Sequence, residues 1–116
     1  MVSDVKYQEL LAKQLAMNGK TLERLVINGL KDDTEVQLDF FYYGQDEEAG
    51  QRFVDFLLKE SGYNAAIAKD DDGWAVTGKT KNTRVTKEIL DRWVDWMIIA
   101  GLKYDFEFDG WGTVVG

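Results

Sequence analysis

Near the C-terminus three carboxylates alternate with aromatic rings in Tyr104-Asp105-Phe106-Glu107-Phe108-Asp109, which runs on into Gly110-Trp111-Gly112-Thr113. Alternate side chains on one face of a strand lie roughly 6.5–7 Å apart. Asp105, Glu107 and Asp109 in such a row could hold a divalent cation through waters, or divide general acid and base roles. The plainer reading is an edge strand whose solvated acidic face discourages edge-to-edge pairing. Nothing in the sequence positions a substrate against these groups, so the plainer reading prevails, with no metal and no catalytic residue assigned. Asp70-Asp71-Asp72-Gly73 has the composition of a calcium loop without its spacing. Counting from Asp70, Trp74 and Lys81 fall where the loop needs oxygen ligands, so the segment reads as a hairpin turn.

The chain has no His and no Cys. That removes Ser-His-Asp and Cys-His nucleophile pairs, an imidazole base, thiolate metal sites and disulfides. Any catalysis would rest on carboxylates, Lys, Tyr or an oxygen-ligated metal. The net charge is −7 and the isoelectric point about 4.5. Such a surface repels phosphate backbones, which argues against nucleic-acid binding; Lys79, Lys81, Arg84 and Lys87 are the only candidates for a local basic patch. A basic polypeptide is the better electrostatic match. Met1-Val2-Ser3-Asp4-Val5-Lys6 lacks the form of a secretory signal, and the apolar run Trp93 to Leu102, interrupted by Asp95, is far short of the ~20 residues of a membrane helix. The expected location is the cytoplasm, with no membrane contact and no cofactor.

These groups must be positioned by a single domain over residues 1–116, of a length and apolar content that permit one core. Residues 4–30 form an N-terminal helical segment. Val5, Leu10, Leu11, Leu15 and Met17 have helical spacing, Ser3 or Asp4 caps the start, and Asn18-Gly19 offers a left-handed stop. Thr21 restarts a short helix through Leu22, Leu25 and Val26, ending at Asn28-Gly29. Residues 34–113 form the core. From Glu35 to Tyr43 the period is two, with Val36, Leu38, Phe40 and Tyr42 on one face and Gln37, Asp39, Phe41 and Tyr43 on the other. Asp46-Glu47-Glu48 opens a helix with buried Ala49, Phe53, Phe56 and Leu57, stopped by Gly62. A hairpin follows, Tyr63 to Lys69 and Trp74 to Lys81. Thr86 caps a helix burying Ile89, Leu90, Trp93, Trp96, Met97 and Ala100 and ended by Gly101; Lys103 to Phe108 is the last strand. The order strand-helix-strand-strand-helix-strand predicts an α+β, ferredoxin-like split βαβ fold: an antiparallel sheet with helices on one face and extra N-terminal helices.

Trp93 and Trp96 could stack on a flat ligand, but aromatics at helical spacing usually belong to the core, with Trp96 toward its rim. Phe41 and Tyr43 would occupy the open sheet face, an apolar patch unless residues 4–30 cover it. Covering it is the expected role of that segment, with partner docking as the alternative. Gly110-Trp111-Gly112 lacks the spacing, the Lys and the following helix of a phosphate loop, and reads as a tight turn that drives Trp111 against the sheet.

Phe108-Asp109-Gly110-Trp111-Gly112-Thr113 resembles the close of a bacterial family, the regulators of ribonuclease E activity, type B. The resemblance also takes in Val36-Gln37-Leu38-Asp39-Phe40-Phe41-Tyr42-Tyr43, the helix start Asp46-Glu47-Glu48-Ala49, Phe53 leading to Gly62-Tyr63, and Trp74-Ala75-Val76-Thr77. The family pattern carries Tyr before the final Asp; Phe108 keeps the ring and loses the hydroxyl. The resemblance implies a non-enzymatic inhibitor that binds the basic, largely disordered C-terminal scaffold of ribonuclease E and modulates RNA degradation. The expected contact set is Asp39, Phe41, Tyr43, Glu47, Glu48, Asp105, Glu107, Asp109 and Trp111. Two rivals stand beside it: a small-molecule or metal-binding domain using the open face around Phe41, Tyr43 and Trp111, and a carboxylate-dependent hydrolase.

Overall fold

The computed structural model describes residues 4–31 and 34–113. Ser3, one of the two candidate caps of the first helix, lies outside the described residues. The described residues form a mixed α+β structure of three α-helices and antiparallel sheets. Helix α1 (Asp4–Ile27) leads to the short strand β1 (Glu35–Val36) and to β2 (Asp39–Gly44). Helix α2 (Glu47–Phe56) runs on through a π-helical turn, Leu57–Ser61, before the hairpin β3 (Asn64–Asp70) and β4 (Gly73–Lys79). Strand β5 (Thr83–Arg84), helix α3 (Lys87–Leu102) and strand β6 (Glu107–Gly112) complete it. The main sheet has the order β3-β4-β2-β6 with every neighbour antiparallel, while β1 and β5 pair separately.

Period-two burial in β2 sends Phe40 and Tyr42 inward and leaves Phe41 exposed. The expected strand over residues 35–43 is interrupted at Gln37-Leu38. There the buried Thr80 takes over the ladder: its hydroxyl accepts from Leu38 N at 3.0 Å, and its N–H donates to Leu38 O at 2.9 Å. Tyr42 is the centre of the core. Its ring meets Phe40, Phe53 and Phe108 edge-on, and its hydroxyl donates to Met97 O at 2.8 Å. Burial, with a smaller contribution from Tyr63, pushes the Tyr42 phenol well above its ordinary value, so it stays a donor.

Helices α2 and α3 pack on the inward face of the sheet. Asp46 caps α2 by accepting from Glu48 N at 2.9 Å and Ala49 N at 3.3 Å, and Gly62 stops the π-helical turn in a left-handed conformation (φ 71). Thr86 caps α3 by accepting from Ile89 N at 3.2 Å. Leu90, Val94, Met97 and Ile98 of α3 are fully buried, whereas Trp96 stays 41% exposed with Phe56 stacked on it. Gly101, expected to end α3, lies inside it: a Cβ there would sit 2.5 Å from the Tyr42 ring and 2.7 Å from Phe106 O. Close approach fixes this glycine, and the helix ends a residue later.

The N-terminal segment is one helix of 24 residues. Asn18-Gly19 does not stop it, because Asn18 is fully buried in mid-helix and hydrogen-bonded by side chain to other elements. The buried row is Leu10, Gln14 and Asn18, at i, i+4, i+8. The expected stripe included Val5 and Met17, which are exposed.

Candidate functional site

The outward face of the sheet is built from small residues around two rings. In the ladder Phe41 lies between Thr77 of β4 and Gly110 of β6, and Tyr43 lies between Ala75 and Glu107. Ala66 and Ala68 of β3 extend the same face beyond Thr77 and Ala75. With so little side chain beside it, Phe41 is 44% exposed. Residues 4–30 do not cover this face, contrary to the expectation. Helix α1 packs instead on α3 and against β6, and Leu10 and Lys13, with Lys6 through its pair with Glu107, reach the rim of the open face.

Polar anchors set that position. Asn18 Nδ2 donates to Asp91 Oδ1 at 3.0 Å, Trp111 Nε1 donates to Asn18 Oδ1 at 2.8 Å, and Tyr7 hydroxyl donates to Asp95 Oδ1 at 2.5 Å. Their partners sit on α3 and β6, away from the open face, so satisfying them pulls α1 to the helical side. Burial alone would raise the Asp91 carboxyl. The Asn18 hydrogen bond, then Lys87 through its own hydrogen bond and charge, outweigh this and hold Asp91 below its ordinary value. The hydrogen bond to Asp95, followed by desolvation and the Asp95 charge, raises Tyr7.

A depression of about 510 Å³ opens on the outward face. Phe41 and Tyr43 with Ala75 and Thr77 contribute to its floor, and Asp70, Asp71, Glu107 and Asp109 bring four carboxylates to it against the ammonium of Lys13. Asp70 and Asp71 arrive from the β3–β4 hairpin. The turn residues there are Asp71, with left-handed φ 46, and Asp72; Gly73 belongs to β4, where a Cβ would lie 2.5 Å from Gly44 O. Glu107 is also paired with Lys6 at 3.1 Å, a surface ion pair worth roughly 0–1 kcal/mol.

The remaining residues singled out by the sequence lie elsewhere. Asp39 is salt-bridged to Lys79 at 2.8 Å farther along the strands. Glu47 and Glu48 form the first turn of α2, where Glu48 pairs with Arg52 at 3.3 Å. Asp105 precedes β6 in a left-handed turn (φ 60), so Asp105, Glu107 and Asp109 do not form a row on one strand face. Among the described residues no group of three or more Asp or Glu is placed to hold a metal ion. No helix among them is long and apolar enough to cross a membrane.

Trp111 also departs from expectation, because the C-terminal motif continues the strand instead of turning. Phe41 pairs with Gly110 and Tyr42 with Phe108, which leaves Asp109 as the extra residue of a β-bulge. Gly110 beside it takes φ 145, a conformation L side chains rarely adopt. Without the bulge Phe108 and Trp111 would face opposite sides of the sheet. With it both point inward, and Trp93 meets both edge-on, at 5.9 Å and 6.3 Å between ring centroids. Thr113 then fastens the end by donating to Gln37 O at 2.8 Å. Sequence reasoning missed Asn18, Gln14 and the outward acids of the hairpin. The one available signal was the i, i+4 row continuing from Leu10 through two amides.

No curated protein sequence matches the chain at a significant level. A family model described as Regulator of ribonuclease activity B matches residues 15–113, from the middle of α1 to the threonine that closes the bulged strand. The match covers most of the chain and every residue of the C-terminal motif, and the protein belongs to that family of ribonuclease regulators.

Proposed function

We propose that this protein is a non-enzymatic, cytoplasmic regulator that binds the basic C-terminal scaffold of ribonuclease E through the outward face of its sheet, inhibiting RNA cleavage. The observation that carries the reading is the acid-rimmed depression around the exposed Phe41 ring, on a chain of net charge −7 from a family of ribonuclease regulators. Complementary charge speeds encounter with a basic segment, and an exposed ring gives the short-range apolar contact that charge lacks. Strand order β3-β4-β2-β6, with α2 and α3 as the crossing helices, supports a ferredoxin-like split βαβ core over residues 34–113, in one domain with the N-terminal helix. Of the expected contact residues, Phe41, Tyr43, Glu107 and Asp109 fit this surface, and Asp70 and Asp71 join them.

The test is capture of a purified ribonuclease E C-terminal fragment by the full chain at low and high salt. Binding that weakens steeply between 50 and 500 mM salt, and weakens again in an Asp70→Asn, Asp71→Asn double variant, supports the proposal. A fragment that fails to bind at low salt, or binds the double variant equally well, sinks it.

A further inference from the structure

The depression sets an exposed ring beside carboxylates. We infer that the outward face selects arginine: a guanidinium of an extended basic polypeptide lies flat on Phe41 while its N–H groups reach the surrounding carboxylates. The inference rests on the protein-binding reading above and specifies what that surface reads.

Three observations carry it. The first is the neighbourhood of Phe41, where Gly110 offers no side chain and Thr77 a short one. Phe41 is accordingly 44% exposed. A planar group can therefore approach the ring, which a taller neighbour would prevent. The second is charge. Asp70, Asp71, Glu107 and Asp109 border the same depression and outnumber Lys13 together with Lys6, which pairs with Glu107. A cation stacked on the ring is thus within a predominantly acidic surround, and a carboxylate or phosphate ligand is repelled. The third is that Glu107 and Asp109 lie close to the position opposite Phe41 on β6, since Gly110 pairs with Phe41 and Glu107 with Tyr43. A fork of donors can use two neighbouring carboxylates at once, whereas an ammonium is a compact point charge.

Lysine would gain the charge attraction and lose most of the stacking. Cation–π contact at an exposed site is worth about a two- to five-fold change in affinity, and arginine makes such contacts more often than lysine. That sets the size of the expected preference. Lys13 opposes any cation entering from the α1 side, so removing its charge should strengthen binding of arginine and lysine alike.

The experiment uses the full chain with two synthetic probes: a flexible Gly/Ser decapeptide carrying four arginines, and the same peptide with four lysines. Affinities are read by fluorescence anisotropy at fixed salt. The arginine peptide should bind about two- to five-fold more tightly. Phe41→Leu, checked for an unchanged melting temperature, should reduce the arginine peptide to the lysine level and leave the lysine peptide alone. Phe41→Trp should widen the preference, and Lys13→Gln should tighten both peptides. Equal affinities in the parent chain, or a preference that survives Phe41→Leu, overturns the inference, as does failure of the arginine peptide to bind. The ribonuclease E fragment serves as the separating arm. If it binds while the preference for arginine is absent, only the arginine inference falls. If the fragment does not bind and the Phe41-dependent preference persists, the partner assignment falls and the inference stands.

Discussion

Replacing Asn18 with leucine tests how α1 is held. Leucine keeps the branched heavy-atom skeleton of asparagine, with somewhat more bulk, and has a higher helix propensity, so neither a cavity nor a weaker helix is introduced. What disappears is a junction of three elements. Trp111 Nε1 loses its acceptor at 2.8 Å, and Asp91 Oδ1 loses its donor at 3.0 Å. Asn18 is fully buried, so water cannot simply replace its amide. A buried donor left without a partner costs about 1–3 kcal/mol. Asp91 keeps Lys87 at 2.7 Å and is partly exposed, so its loss is nearer ~1 kcal/mol. The sum is about 2–4 kcal/mol, or roughly 8–16 °C in melting temperature at ~4 °C per kcal/mol for a domain of this size. Thermal unfolding followed by circular dichroism gives the number, and hydrogen exchange should show the α1 amides losing protection first. A fall of less than about 3 °C, with α1 protection unchanged, would refute the claim that Asn18 anchors the helix.

Further expectations follow from the same contacts. Gly19→Ala should stabilise the chain by about 0.5–1 kcal/mol, since a Cβ there meets nothing within 4 Å in mid-helix; a loss of stability would restore the reading of Asn18-Gly19 as a helix stop. Gly101→Ala should cost about 1–3 kcal/mol in chemical denaturation, because its methyl would press on the Tyr42 ring and Phe106 O; a neutral result would show that α3 can move away from the sheet. Docking of α1 should depend on pH at both extremes. Asp91 is depressed in the folded chain, so its contribution is full above the ordinary aspartate value of ~3.9 and is lost as pH falls through its lower folded value. Tyr7 is raised above 10.0, so the stability it contributes as a protonated donor is present below pH 10 and is lost as pH rises through its higher folded value. Hydrogen-exchange protection of α1 that is flat across both windows would contradict this.

The local elements were readable because their signals are short-range. Alternation in β2, the acidic helix start at Asp46, the cap Thr86 and the stop at Gly62 each depend on neighbours a few residues away. The first helix was misread because Asn-Gly is a sound local stop, and only distant Asp91 and Trp111 make Asn18 worth burying. The C-terminal motif was misread for a related reason. Two glycines around a tryptophan suggest a turn, whereas pairing with β2 turns the first glycine into part of a bulge. At the candidate site, Phe41, Tyr43 and Glu107 follow strand periodicity, whereas Asp109 borders the depression as the extra residue of a bulge that periodicity does not contain. Asp70 and Asp71 were read only as turn residues, because nothing local brings their hairpin to the same depression as β6.

By itself the sequence determined the charge, the absence of imidazole and thiol chemistry, the alternation of helices and strands, and the family. Those properties are set by composition and by spacing along the chain. Tertiary structure alone decided which sheet face stays open. That choice depends on where α1 finds partners for the buried Asn18 amide and the Tyr7 hydroxyl, and they lie on α3 and β6, far from α1 in sequence. Hydrogen bonds across such separations, absent from any local pattern, leave Phe41 uncovered among carboxylates.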